Sequence, residues 1–377
     1  MKTADASRRP LPRMLLLLTA AMLLLIVYFG LRFKGAAISN DVVWLENAPG
    51  IRFDRTGIVY AESVDLARGP KGAAGAVSIE LALKSAAPGD GHFQFVLLVH
   101  GGEDARQLVV GQWRSWLIVM NGDDYDAKRR RPRIAVNALL PGKRRFVTIV
   151  SGEEGTAVYL EGQLAKRNPG LRLEIPDRGA GGRLVLGNSI YGRHAWTGEL
   201  YGLAYYQRAL AAEAVHRHAQ QWRRQNTFAY AAGAHPAGLY RFDDAPGTRI
   251  ADHSGRGHHL RMPDRMTILT KEFLTAPFAS EGDRPSLLQD MIINIAGFVP
   301  LGFLLGALTR RGRGRPLRTR LVWVMLTCGA LSLSIELAQA WIPTRSSQML
   351  DLILNTLGAG VGVLLQAALG PLRQQPR

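Results

Sequence analysis

Two apolar segments joined by a short polar turn dominate the C-terminal part of the chain, between Leu331 and Gly362. Each segment is long enough to cross a bilayer as a helix, yet each carries polar groups that lipid does not solvate. Ser332, Glu336 and Gln339 recur at i, i+4 and i+7 and therefore share one face of a helix. Since a carboxylate is costly in lipid, this face must contact other protein or water.

Similar polar faces occur on two further segments. Both have Asp, then Asn at +4 and Gly at +7: Asp351, Asn355 and Gly358 after the turn, and Asp290, Asn294 and Gly297 upstream. Arg345, in the turn, is the expected counter-charge for the carboxylates. We predict a polar pocket inside a helical bundle, formed by Asp290, Asn294, Glu336, Gln339, Arg345, Asp351 and Asn355.

The alternative interpretation of this pocket is structural, with polar side chains that only pair helices. Gly302/Gly306 and Gly358/Gly362 are Gly-x-x-x-Gly pairs, which let helix backbones approach closely and fit this interpretation. A single arginine cannot neutralise three carboxylates, so protons, cations or a ligand must contribute. We therefore favour a binding pocket over structural pairing.

The apolar segments resemble a known family. The sequences DMIINIAGFVPLGFLLG, SIELAQAWIPTR and DLILNTLGAGVG resemble the VanZ-like membrane proteins, which are named for a glycopeptide resistance protein. The matching residues are Asp290, Asn294, Phe298, Pro300, Gly302, Glu336, Gln339, Pro343, Arg345, Asp351, Asn355 and Gly358. The resemblance covers 287–372 by motif and 1–33 by architecture. It implies a four-helix membrane domain and, through the family name, a link with glycopeptide resistance.

The distribution of basic residues predicts the topology. The net charge of +17 would suit a nucleic-acid-binding protein, but most of the excess lies in 1–13, 309–320 and 370–377, beside apolar segments. Basic residues at these places follow the positive-inside rule, so nucleic acid is not an expected partner. We predict a multi-pass protein of the bacterial cytoplasmic (inner) membrane, with its large middle region on the extracytoplasmic side.

The predicted domains follow from this topology. They are a cytoplasmic tail (1–13), a transmembrane helix (14–33), an extracytoplasmic domain (38–265), a linker (266–289) and a VanZ-like membrane domain (290–372) with helices at about 290–308, 321–341 and 350–369. A cleaved signal peptide is the alternative for the first helix, since small residues follow it at Gly35-Ala36-Ala37. The apolar run is long for a signal peptide, so we predict a retained helix.

The middle region has the pattern of an antiparallel β-sandwich. Val77, Ile79, Leu81 and Leu83 alternate with polar residues, which is the period of a strand. Further short strands bounded by turn residues are predicted at 93–99, 116–120, 146–150, 158–160 and 184–186. A helix is predicted at 211–224. The predicted fold is thus a four-helix transmembrane bundle with an all-β jelly roll inserted between helices 1 and 2.

The same region resembles a second family. Residues 145–167 and 184–215 are similar to the second half of a laminin-G/concanavalin A-like jelly roll, including a hairpin at Tyr159–Gly162. Residues 238–263 resemble the opening strand of that family, with its Asp252-Ser254-Gly255 turn, but they follow the closing strand. We therefore expect a circularly permuted sandwich.

Other candidate sites are weaker. Asp123–Asp126 lacks the ligand spacing of a helix–loop–helix calcium site, although the jelly-roll resemblance leaves calcium as an alternative to no cofactor. The basic run at 128–133 and the loop histidines His253, His258 and His259 are interpreted as solvated loops. Glu80 and Glu161 are interpreted as solvent-facing strand residues, not as paired glycosidase carboxylates.

No catalytic fingerprint for hydrolases, nucleotide-binding enzymes or zinc proteases occurs in the sequence, so enzyme activity is not expected. We predict an envelope protein that recognises a surface glycan or a lipid-linked precursor, with membrane lipid as a further partner. One alternative is a membrane enzyme that uses Glu336 as acid or base, with Asp290 and Asp351 around it. Another is a structural anchor for the sandwich. The sequence leaves the oligomeric state open.

Overall fold

The computed structural model describes residues 11–31, 39–61, 75–86, 91–125, 127–174, 182–244, 246–270, 273–274, 284–313, 316–340, 342 and 347–369. The chain divides into two compact units. One consists of Met1–Lys34 with Lys271–Arg377, and the other of Gly35–Thr270.

In the part of the second unit that the structure describes, two eight-stranded antiparallel sheets form a sandwich. The first sheet has the order β1 (Val42–Trp44), β2 (Ile51–Phe53), β13 (Gly198–Tyr206), β4 (Val77–Ser85), β9 (Arg144–Gly152), β10 (Gly155–Leu160) and β11 (Gln163–Asn168), with β14 (Gly238–Tyr240) also paired to β13. The second has the order β15 (Arg249–Ile250), β16 (Leu260–Arg261), β3 (Val59–Ala61), β12 (Arg183–Leu186), β5 (Gln94–His100), β6 (Leu108–Trp113), β7 (Trp116–Asn121) and β8 (Arg133–Asn137). The predicted sandwich is confirmed, and it lies between the first two membrane helices in chain order.

The alternation in β4 places Val77, Ile79 and Leu81 in the core between the sheets. The opposite face of this sheet is also covered, because α2 (Ala212–Gln225) packs its apolar side chains there, including Trp222. The interpretation of Glu80 as solvent-facing is therefore wrong: its side chain is fully buried on the face that α2 covers.

The predicted hairpin joins β10 to β11 through a two-residue loop, Glu161 and Gly162. Both residues have positive φ, 53° and 82°, as a type I′ turn requires. Glu161 is half-buried and accepts a hydrogen bond from the backbone N–H of Phe146 at 3.0 Å, so it fixes this turn against β9.

The segment resembling an opening strand contributes to both sheets. Its first strand, β14, pairs with the closing strand β13, from Leu203↔Tyr240 to Tyr205↔Gly238. Its last strand, β16, pairs with β3 in the opposite sheet. The segment therefore contributes strands to both sheets, and circular permutation of the sandwich stays a prediction.

Among its described residues, the first unit contains four helices that are long and apolar enough to cross a membrane. They are α1 (Leu11–Leu31), α3 (Arg284–Arg313), α4 (Leu317–Ala340) and α5 (Met349–Leu369). Large apolar side chains on every helix are exposed, among them Leu17, Ile292, Leu326 and Leu364, as contact with lipid demands. The chain is therefore a multi-pass membrane protein. Helix α3 begins at Arg284, before its predicted start at about residue 290 and within the predicted linker (266–289).

Glycines bring α3 and α5 into close contact. A Cβ on Gly302 would lie 2.1 Å from the carbonyl oxygen of Ala359, and one on Gly358 would lie 2.3 Å from that of Ile295. Both helices run in the same direction, since higher numbers on α3 meet higher numbers on α5, as in the Gly306–Val363 contact. The close approach expected from the Gly-x-x-x-Gly pairs is confirmed.

Candidate membrane polar site

A polar contact joins α3 to α5 at one end of the bundle. Asn294 donates a hydrogen bond from Nδ2 to Oδ1 of Asp351 at 2.6 Å, and both side chains are half-buried. The Asn position of one Asp/Asn/Gly face thus meets the Asp position of the other. A hydrogen bond from an amide to an ionised carboxylate is stronger than a hydrogen bond between two neutral groups.

Two further contacts join α4 to α5. Asn355 donates from Nδ2 to Oγ of Ser332 at 2.9 Å. Glu336 accepts the backbone N–H of Gln348 through Oε2 at 2.8 Å, just before α5 begins. A carboxylate at a helix N-terminus is favourable, because unpaired N–H groups and the positive end of the helix dipole lie there. Glu336 is nevertheless only 2% exposed, so its charge is held largely away from solvent.

The fourth contact joins α4 to α1. Gln339 donates from Nε2 to the carbonyl oxygen of Gly30 at 2.7 Å. Gly30 lies in the last turn of α1, where carbonyl groups lack partners within the helix. The side chain of Gln339 therefore caps α1 and ties its end to α4. It also places the end of α1 at the same end of the bundle as Glu336.

The structure brings Asn294, Glu336, Gln339, Asp351 and Asn355 to one end of the bundle. Asp290 lies in α3, one turn before Asn294, and its side chain is outside the described residues. Arg345 also lies outside the described residues. Sequence reasoning did not identify the backbone partners at Gly30 and Gln348, because main-chain groups leave no signal in residue type.

One polar atom in this cluster is unsatisfied. Asn355 is 7% exposed, and its Oδ1 is buried without a hydrogen-bond partner among the described residues. The hydroxyl of Ser332 can donate or accept, so reversing the amide would leave Nδ2 without a partner instead. In either orientation, one end of this buried amide lacks a hydrogen-bond partner among the described residues. An unsatisfied buried group of this kind destabilises the fold by about 1–3 kcal/mol unless a ligand binds it.

The acidic and basic residues around position 128 bind one another. Asp124 accepts the backbone N–H groups of Arg129 and Arg131, one on each oxygen, at 2.9 and 3.0 Å. Asp123 accepts a hydrogen bond to each of its oxygens from the guanidinium of Arg129. These aspartates shape the loop that carries the basic run.

The loop histidines also have partners. His258 contacts the hydroxyl of Tyr205, and His259 accepts the backbone N–H of Asp252. His253 lies with Asp243 and Asp244 in a group whose potential ligand atoms are all within 4.8 Å of one another. The protein itself supplies partners for this group: Asp243 pairs with Arg241, and Asp244 accepts the backbone N–H of Ala251.

A buried polar cluster in the sandwich was not expected from the sequence. Glu80 accepts a hydrogen bond from Tyr206 at 2.8 Å and one from Tyr230 at 3.3 Å, and it contacts Nδ1 of His218 at 2.9 Å. Burial, together with the charge of Glu80, raises the pKa of the Tyr206 and Tyr230 hydroxyls far above the usual range. Both tyrosines therefore stay protonated and keep donating to Glu80. The cluster fastens α2 to the sheet.

Comparison with protein families matches residues 248–370 to the family described as VanZ/LLP1. This region of the chain is therefore similar to the VanZ/LLP1 family. The match begins upstream of the 287–372 resemblance and includes β15 and β16 of the sandwich. No curated protein matches the chain.

Solved structures similar to the chain include a proposed carbohydrate-binding protein from Bacteroides ovatus, at 13% identity and a TM-score of 0.40 over 58% of this chain and 61% of that one. A sialidase from Trypanosoma rangeli in complex with sialic acid matches at 12% identity and a TM-score of 0.36, over 50% of this chain and 29% of that one. The receptor-binding domain of botulinum neurotoxin C/D mosaic serotype matches at 12% identity and a TM-score of 0.35, over 49% and 45%. The chain thus spans less than two thirds of each of these structures.

Proposed function

We propose that this VanZ-like membrane protein recognises the glycan head group of a lipid-linked envelope precursor at the polar end of its helix bundle, without catalysing a reaction. The observation that carries the proposal is the buried Oδ1 of Asn355 on α5, which has no hydrogen-bond partner among the described residues. Asn355 bonds Ser332 on α4, one turn before the buried carboxylate of Glu336 on the same helix. Buried polar atoms without partners are rare in folded proteins. A bound ligand is one way to satisfy this one.

The chemistry of the cluster favours a ligand with many hydroxyl groups. Glu336 and Asp351 offer carboxylate oxygens, while Asn355 can present an amide oxygen or N–H, according to its orientation. Sugar hydroxyls both donate and accept hydrogen bonds, so they fit acidic and amide groups alike. The acidic residues repel a phosphate, which we therefore place outside the cluster. A lipid-linked ligand is favoured over a soluble glycan, because the cluster lies on helices that expose apolar side chains to lipid.

The proposed location is the outer half of the bacterial cytoplasmic membrane. Arg310, near the end of α3, and Arg318 and Arg320, in the first turn of α4, lie at the opposite end of the bundle from Glu336. The positive-inside rule puts that end in the cytoplasm and the cluster outside. The chain leaves α1 and re-enters α3 at the outer end, so the sandwich is proposed to be extracytoplasmic and to contribute to glycan recognition.

The test is binding to the purified full-length protein in lipid nanodiscs. Three probes separate the parts of the proposed ligand: a polyprenyl-diphosphate-linked disaccharide, the same polyprenyl diphosphate without sugar, and the free disaccharide. We expect saturable binding of the first probe and at least about tenfold weaker binding of the others, because each lacks one recognised part. Equal binding of the sugar-free lipid would contradict recognition of a glycan head group.

The second candidate function is a structural one, in which the helices only anchor the sandwich. It is favoured by the fact that three of the four hydrogen bonds described above for the polar cluster join two helices, and the fourth joins α4 to the residue just before α5. The variant Asn355→Ala separates the candidates, with Thr327→Val as a control, because Thr327 is exposed and, among the described residues, its hydroxyl bonds within its own helix. Loss of probe binding in Asn355→Ala at unchanged thermal stability supports recognition, whereas loss of stability with unchanged binding supports anchoring.

A further inference from the structure

A buried arginine lies at the end of the bundle opposite to Glu336. Arg320 is in the first turn of α4 and is only 5% exposed. Its Nη2 donates to Oε1 of Gln366, near the end of α5, at 2.8 Å. Its Nε is buried and has no hydrogen-bond partner among the described residues. The guanidinium therefore has a neutral partner and at least one unused donor.

The charge of Arg320 is not balanced within the described part of the chain. The neighbouring charged group there is Arg310, near the end of α3, and its like charge repels Arg320. Gln366, 6% exposed, is neutral. Arginine remains charged in proteins, so it cannot escape this environment by losing a proton. A buried charge without a counter-charge is costly, and an anion bound from outside the chain would remove that cost.

The positions of Arg320 and Arg310 in their helices indicate which kind of anion could bind to them. Arg320 lies in the first turn of one candidate membrane span, Leu317–Ala340, and Arg310 is the last residue of another, Met291–Arg310. The ends of membrane spans lie near the lipid head groups. The N-terminus of α4 adds the positive end of a helix dipole beside them. Basic pockets between membrane helices on the cytoplasmic side bind anionic lipid head groups.

We propose that Arg320 and Arg310 form a binding site for the phosphate of an anionic phospholipid, held between the ends of α3, α4 and α5. Gln366 orients the Arg320 guanidinium, and the unused Nε–H donates to a phosphate oxygen. The planar guanidinium can donate two parallel hydrogen bonds to phosphate, which an ammonium group does not do with the same geometry. The site differs in charge and in membrane depth from the acidic cluster at the opposite end.

The proposal is tested on the full-length protein in detergent by thermal unfolding with added phosphatidylglycerol, phosphatidylcholine or inorganic phosphate. We expect phosphatidylglycerol to raise the melting temperature saturably, with little effect of the other two. Arg320→Gln should weaken the apparent affinity for phosphatidylglycerol at least about tenfold, as expected for the loss of charge-assisted hydrogen bonds. Arg318→Gln is the matched control, since Arg318 lies in the same turn but is exposed.

If Arg320→Gln does not fold, Arg310→Gln takes its place and should also weaken phosphatidylglycerol binding more than Arg318→Gln does. Equal stabilisation by phosphatidylglycerol and phosphatidylcholine would overturn the proposal. So would equal losses in the Arg320 or Arg310 variant and the Arg318 control. Saturable stabilisation by inorganic phosphate alone would assign the pair to a soluble anion and overturn the lipid assignment.

Discussion

Replacement of Gly358 by alanine tests the packing of the membrane helices. A Cβ at this position would lie 2.3 Å from the carbonyl oxygen of Ile295 on α3. Carbon–oxygen contacts between helices are normally about 3.3 Å or longer, so α3 and α5 would have to separate by about 1 Å. The obstacle is backbone, which cannot rotate away as a side chain could. Overpacking of this kind costs about 1–3 kcal/mol.

The matched control is Gly297→Ala, on the helix that faces Gly358. No described atom lies within 4 Å of a Cβ at Gly297. Alanine favours a helix over glycine by about 1 kcal/mol, and this gain applies to both variants. The difference between them therefore measures packing alone. We expect Gly358→Ala to be about 1–3 kcal/mol less stable than Gly297→Ala.

The assay is reversible unfolding of the full-length protein in mixed micelles, followed by helical circular dichroism. Gly306→Ala gives an intermediate test, because its Cβ would meet Val363 at 3.4 Å, an ordinary contact distance. The expected order of stability is Gly297→Ala, then Gly306→Ala, then Gly358→Ala. Equal stability of all three variants would refute the close parallel packing of α3 and α5.

Three further predictions concern topology and the sandwich. A periplasm-active reporter fused after Ala232 should be active and one after Arg313 silent; activity after Arg313 would reverse the orientation. Glu80→Ala should destabilise the sandwich by about 3 kcal/mol in thermal unfolding, because it leaves the buried side chains of Tyr206 and His218 without their hydrogen-bond partner. A loss of stability no greater than that of Glu153→Ala, at an exposed position, would contradict this role. The hydrogen bond from His100 lowers the pKa of Asp104; burial opposes this shift and a hydrogen bond from Tyr191 supports it. The Asp104 carboxylate therefore stabilises the fold at pH values above its unfolded pKa of about 3.9. This stabilisation is lost as the pH falls through the lower pKa of the folded state. Asp104→Asn should remove this part of the acid dependence, and an unchanged profile would exclude it.

Residue spacing was sufficient to predict the helices and the meeting of their polar faces. The repeated Asp/Asn/Gly spacing indicated that Asn294 and Asp351 belong to related helix faces, and they hydrogen-bond directly. Apolar alternation likewise identified β4, and a Gly at the second loop position agreed with the type I′ turn at Gly162. These features are local, so a few neighbouring residues determine them.

Features that depend on a second element were not predictable in the same way. Alternation in β4 places Glu80 on the face opposite to the core, and only the packing of α2 makes that face buried. The amphipathic spacing of Val215, His218 and Trp222 on α2 was the available signal, but it does not identify the strand beneath. Similarly, a count of arginines does not separate the buried Arg320 from the exposed Arg318.

The most direct measurement for the central proposal pairs binding with stability in Glu336→Gln. The amide oxygen of glutamine can still accept the backbone N–H of Gln348, so the contact between α4 and α5 should persist. We therefore predict nearly unchanged thermal stability, together with loss of binding of the polyprenyl-diphosphate-linked disaccharide. A variant that loses stability but binds this probe as the wild type does would contradict recognition and assign Glu336 to helix pairing.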